Sequence, residues 1–178
     1  MFTITIMETD YFMPEDGAIA QKQFLDLLAN PGEVWMSAYS FTLQPMFTEL
    51  LKADARGVKI HLLLDHSQEA GRAEASKVKS LAVNLKHGDV TITTAGINSK
   101  APAEIWHWKG FVVKQSGSNQ YACWEGSTNF SQSGWLQGNS ARTFSSAVWA
   151  QKFIQQFETH KQWALANEPQ YQVRPEGT

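Results

Sequence analysis

The stretch VKIHLLL, residues 58–64, constrains the fold more than any other. It has the length of a strand and is nearly continuous in apolar residues. A strand of this kind needs cover on both faces of its sheet. The flanking sequence offers that cover, because helix and strand patterns alternate around it. Residues 2–7 alternate as a first strand. Asp16 is a candidate N-cap for a helix carrying Ile19, Phe24, Leu27 and Leu28, stopped at Pro31-Gly32. Residues 34–39 read as a buried strand. Residues 46–56 read as a helix, with Gly57 as its left-handed terminator. Residues 69–86 form a further helical pattern ended by Gly88, and residues 90–94 alternate as a strand. Residues 95–104 read as a loop. Residues 105–114 and 120–124 form a hairpin across QSGSN. Residues 141–149 suggest another strand, and residues 151–166 a closing helix. The β-α-β-α-β order predicts an α/β fold with a largely parallel core.

At 178 residues the chain is most simply one domain, here residues 1–167 with a C-terminal tail over 168–178. No apolar run approaches the ~20 residues of a membrane-spanning helix, so no stable membrane association is expected. The N-terminal MFTITIMETD lacks a basic segment and a small-residue cleavage site, which points to a cytoplasmic protein. Cys123 is the lone cysteine and lies in an apolar strand pattern, as a buried thiol does. The net charge of −2 argues against charge-driven coating of nucleic acid but allows a local basic cleft.

The chemistry-bearing residues cluster in IWHWKGFVVK, residues 105–114, and WEGSTNFSQSG, residues 124–134. In a strand His107 and Lys109 project to one face. Ser127 and Asn129 share a face if the backbone stays extended, and Gly126 permits close approach of a ligand or another backbone. Together they supply an imidazole, a fixed positive charge, a hydroxyl and an amide. That set suits a phosphoryl group, with Lys and Asn on the oxygens and His attacking phosphorus or moving a proton. None of the four is a preferred Mg²⁺ ligand and no paired carboxylates accompany them, so a reaction without metal or other cofactor is the natural reading.

His107-Trp108-Lys109 followed by Gly126-Ser127-Thr128-Asn129-Phe130 resembles the HxK…GSxNF signature of the phospholipase D superfamily. The stretches FMPEDGA, MSAYSFT, RGVKIHLLLD, GRA and FETHKQW fall in the order of its small single-motif bacterial endonucleases. The resemblance covers residues 11–163. It implies a mixed sheet with helices on both faces and phosphodiester hydrolysis through a phosphohistidine. It also implies His107 as nucleophile, with Lys109, Ser127 and Asn129 holding phosphate. Larger relatives carry two motifs, and the small ones pair two chains. The resemblance therefore implies a homodimer in which each His107 serves the other's reaction, acting on DNA or RNA.

Two positions depart from the family pattern. Lys114 stands where the motif carries Asp, and NSARTFSSAVW lacks the downstream Glu. Glu125 shares parity with Ser127 and Asn129 and is a candidate to orient the His107 ring, or it simply ends a strand in solvent. Trp106, Trp108, Trp124 and Trp135 surround the motif as stacking platforms or as packing. Trp135 is a candidate substrate contact, whereas Trp108, opposite in parity to the motif pair, reads as core. Ser40 in YSFT and Arg72 in EAGRAEASK are candidate cleft residues. The alternatives to a nuclease are a phosphate- or nucleic-acid-binding module without turnover and, lower in rank, a lipid phosphodiesterase.

Overall fold

The computed structural model describes residues 6–69, 72–94 and 105–173, with the side chains of 69, 72 and 73 outside that set. The described strands are β1 (Thr9–Met13), β2 (Pro31–Ala38), β3 (Lys59–Asp65), β4 (Asp89–Thr93), β5 (Gly110–Gln115), β6 (Tyr121–Gly126) and β7 (Asn139–Phe144). The α-helices are α1 (Gly17–Ala29), α2 (Gln44–Ala55), the short α3 (His66–Glu69), α4 (Arg72–Asn84) and α5 (Ala147–Asn167). All seven strands form one sheet in the order β1-β7-β6-β5-β2-β3-β4.

The sheet is mixed, as expected, but its parallel part is confined to β2, β3 and β4. The pairings β1–β7, β7–β6, β6–β5 and β5–β2 are antiparallel. The expectation of a largely parallel sheet is corrected here. From β5 onward consecutive strands β5, β6 and β7 are sheet neighbours joined by short connections, which cannot produce parallel pairs.

Burial on β3 alternates between two cores. Ile60, Leu62 and Leu64 pack with Phe24 and Leu28 of α1, Leu50 of α2 and Val78 and Leu81 of α4. Leu63 packs on the other face with Phe153 and Phe157 of α5. The run at residues 58–64 is apolar because helices cover both sides of it. Phe24 is the hub of the first core, with Phe111, Trp124, Phe130 and Trp135 all within 5.4 Å, centroid to centroid. Cys123 lies in the second core, where burial pushes its thiol up to about 11.

Several local expectations shift. Residues 2–5 of the expected first strand lie outside the described residues, and the strand itself is Thr9–Met13. Asp16 does not cap α1; its carboxylate accepts the Phe12 N–H at 2.8 Å and closes the preceding turn. Gly57 has φ +85° and ends α2 as anticipated. The loop at 95–104 lies outside the described residues. Residues 105–109 are not strand, since pairing starts only at Gly110. The strand expected over 141–149 is Asn139–Phe144, and α5 begins at Ala147, where the Ser146 hydroxyl accepts the Trp149 N–H.

The segment expected as a tail is docked through residue 173. Its Gln172 amide pairs with both backbone groups of Ile92, at 2.9 and 2.8 Å, as a neighbouring strand would. Glu168 is buried and accepts the Thr94 N–H. Tyr171 stacks on His66 at 3.9 Å. β4 is at the edge of the sheet among the described residues, and this segment bonds that edge at Ile92.

At the opposite end of the parallel strands, His61 lies between two acids. Its Nδ1 is 2.7 Å from Asp89 Oδ2 and its Nε2 is 3.0 Å from Glu33 Oε1. Lys161 of α5 reaches the other Asp89 oxygen at 2.7 Å. Burial opposes the charged imidazole, but the two carboxylates outweigh it and hold the His61 pKa above the ordinary value. Stability from a raised imidazole pKa is fully present below the unfolded value and is lost as pH rises through the folded value. Urea unfolding should therefore find His61→Gln destabilised most near about pH 5, with the gap closing toward about pH 9. A gap that widens with pH would contradict this arrangement.

Candidate functional site

The segment that carries the motif is pinned before β5 begins. The Trp106 backbone N–H donates to Asp65 Oδ2 at 2.5 Å, and its indole N–H donates to Ser37 Oγ at 2.7 Å. Asp65 ends β3 and is fully buried. Its other oxygen accepts the N–H groups of Ser67 and Gln68, at 2.8 and 3.2 Å, and the Ser67 hydroxyl. The C-terminal end of a parallel strand thus holds the motif in place, the usual location of sites in α/β sheets.

His107 and Lys109 are brought together, though not by strand parity, because neither residue is in β5. Lys109 folds back so that Nζ donates to the His107 carbonyl at 3.1 Å. Tyr39 supports both: its ring is 4.6 Å from the His107 ring, and Lys109 Nζ lies 5.1 Å over its face. The Tyr39 hydroxyl accepts from the Gln68 amide at 3.0 Å, which fixes the ring. His107 is exposed while Lys109 is only 7% exposed. Burial and then the Lys109 charge push the His107 pKa below the ordinary imidazole value, and the negative charge of Asp65 partly opposes this. Burial likewise lowers Lys109, again opposed by Asp65. A neutral, accessible imidazole beside a half-desolvated ammonium is suited to attack an electrophile that carries negative oxygens.

The GSTNF loop reaches this place through the segment that follows β2. The Phe130 N–H donates to the Ser40 carbonyl at 3.2 Å, and the Phe130 carbonyl accepts from Thr42 and Leu43 at 2.9 Å each. Ser40 thus contributes its backbone and ties Asn129 to the strand end that carries Tyr39. Asn129 Oδ1 is buried with no hydrogen-bond partner among the described residues.

The other candidates are placed differently. Ser127 is turned toward β7: its hydroxyl accepts the Ser140 N–H at 3.0 Å and donates to Asn139 Oδ1 at 3.2 Å. Gly126 serves another backbone, since a Cβ there would overlap the Ser140 carbonyl oxygen. Glu125 is paired with Arg142, whose Nε donates to Oε1 at 2.6 Å. Both Glu125 and Arg142 line the same cleft as His107 and Lys109. Trp135 is 2% exposed and packed against Phe24 and Trp124, which leaves no ring face for a base. Trp108 is the reverse of the core residue expected, at 37% exposed, because the segment before β5 does not alternate like a strand. The Arg72 side chain lies outside the described residues. The residue missed in the sequence is Asp65. Its only signal there was its place at the end of an apolar strand.

The family described as "Cardiolipin synthase, PLD-like domain" matches residues 25–163, and the chain belongs to this phospholipase D-like family. NucT from Helicobacter pylori is similar in structure, with a TM-score of 0.72, 14% identity, and coverage of 86% of this chain and 94% of that one. Nuc from Salmonella typhimurium, a phospholipase D family member, has a TM-score of 0.66 and 21% identity, over 86% of this chain and 93% of that one. TrmBL2, an archaeal chromatin protein with a novel mode of DNA binding, has a TM-score of 0.57 and 11% identity, over 89% of this chain and 52% of that one. No curated protein matches the sequence. No described helix is long and apolar enough to cross a membrane.

Asp65→Asn should leave one Asp65-bound N–H poorly accepted, at a cost of about 1–3 kcal/mol in urea unfolding. It also removes the negative charge that opposes the lowering of His107, so an NMR titration should find that imidazole lower still. An unchanged His107 titration in a folded variant would show that Asp65 has no electrostatic hold on the motif.

Proposed function

We propose that this chain is a metal-independent phosphodiesterase that hydrolyses DNA or RNA, with His107 as the nucleophile. The observation that carries the reading is the pairing of an exposed imidazole, kept neutral, with the desolvated Lys109 ammonium. Membership of a phospholipase D-like family supports phosphodiester chemistry. The resemblance to small endonucleases supports a nucleic-acid substrate.

In the proposed reaction a His107 ring nitrogen attacks phosphorus and the bond to the leaving oxygen breaks. Lys109 and the Asn129 amide hold the non-bridging oxygens. The leaving oxygen takes its proton from the His107 imidazolium of a second copy, so the active unit is a homodimer. Water then attacks phosphorus and breaks the P–N bond, returning a proton to that second imidazole. Each copy therefore supplies a nucleophile for one product and an acid for the other.

The second reading, a phosphate-binding module without turnover, is favoured by one observation. The Glu125 carboxylate, the candidate to orient the His107 ring, is engaged by Arg142 instead.

Cleavage of an oligonucleotide in excess EDTA separates the two. The nuclease reading expects turnover that survives chelation and falls by roughly three orders of magnitude or more in His107→Ala. Its kcat/KM should be bell-shaped, with an acidic limb below the ordinary imidazole value where the attacking His107 becomes protonated and an alkaline limb where the His107 of the second copy loses its proton. Turnover abolished by EDTA, or retained in His107→Ala, contradicts the reading. Tight binding without cleavage establishes the second one.

A further inference from the structure

The motif opens into a cleft of about 710 Å³ that phosphate alone does not fill. One wall is a row of three aromatic rings. Phe153 lies between Trp149, at 5.2 Å and 19°, and Trp108, at 5.6 Å and 33°. Trp108 is the end of the row nearest His107 in the chain; it also packs on Trp106, at 4.7 Å, and on His160, at 6.2 Å, and its remaining exposed part opens to the cleft. The Glu125–Arg142 pair also lines the cleft. Lys152 of α5 also lines the cleft.

We propose that this cleft is a nucleobase subsite, in which one unpaired base next to the scissile phosphate stacks on Trp108. The proposal rests on the nuclease reading and narrows it to substrate whose bases are free to turn out of a duplex. A base paired in a duplex offers no open face to such a wall, whereas an unpaired one does. Charge is compatible with this occupant: Lys109 and Lys152 line the cleft as cations, Asp10 and Glu125 as carboxylates, and Arg142 is paired with Glu125. Polarity favours it over a lipid chain. An acyl chain gains nothing from the Glu125–Arg142 pair, while a base edge can hydrogen-bond to both partners.

Binding to the intact protein tests this without relying on turnover. The probes are a short single-stranded oligonucleotide and the same strand with abasic sugars, which keeps every phosphate. Tryptophan fluorescence should be quenched by the first, and the abasic strand should bind about tenfold or more weakly. Trp108→Ala should erase most of that discrimination and Trp108→Phe should retain it. Trp149→Ala serves as a second variant should Trp108→Ala fold poorly. Equal affinity for the two strands overturns the subsite. So does tighter binding of short-chain phospholipid micelles, or a Trp108→Ala chain that loses only its dimeric mass, which would assign the wall to a second copy. Base-dependent binding by a chain that cleaves no phosphodiester sustains the subsite while the catalytic reading falls.

Discussion

The buried carboxylate of Asp65 is the interaction on which the site depends. It stands where β3 leaves the sheet and gathers N–H groups from the turn that follows and from Trp106, forty-one positions further along the chain. A fully buried carboxylate is tolerated only when its oxygens are occupied. Holding it in place therefore fixes the approach to β5. The Trp106 indole bond to Ser37 adds a second anchor from the neighbouring strand β2. With both anchors set, His107 has little choice but to face Tyr39.

The same carboxylate balances the charge of the motif. Lys109 is nearly excluded from solvent, has a carbonyl and a ring face as close partners among the described residues, and is lowered by that burial. Asp65 limits this lowering in both Lys109 and His107. An entering phosphate would do the same from the open side, because an anion close to a desolvated ammonium stabilises its charged form. The candidate site therefore sets a desolvated cation beside an accessible imidazole, where an anion's charge would be stabilising.

Much of this was legible in the sequence. The apolar run at 58–64 announced a strand covered on both sides, and Gly57 marked a helix end by backbone geometry alone. The His-x-Lys and GSTNF stretches pointed to the candidate site because few other arrangements call for that set of side chains. What escaped was whatever depends on partners distant in the chain. Asp65 carries no local sign that its acceptor capacity is meant for Trp106. Glu125 shares parity with its neighbours, yet Arg142 on the adjacent strand takes its carboxylate. The parity argument at 105–109 failed for a related reason. The residues have strand character, but Asp65 and Ser37 hold the chain off the sheet until Gly110. The tail read as free because nothing local shows that Gln172 completes the edge of β4.

The nucleophilic role of His107 is tested most directly by trapping the covalent intermediate. Wild-type protein turning over a labelled oligonucleotide would be quenched in alkali, where a P–N bond to histidine persists, and the peptides would be mapped by mass spectrometry. The account predicts one adduct, the phosphoryl-bearing fragment attached to His107. Steady turnover with no adduct, or an adduct on any other residue, would contradict it.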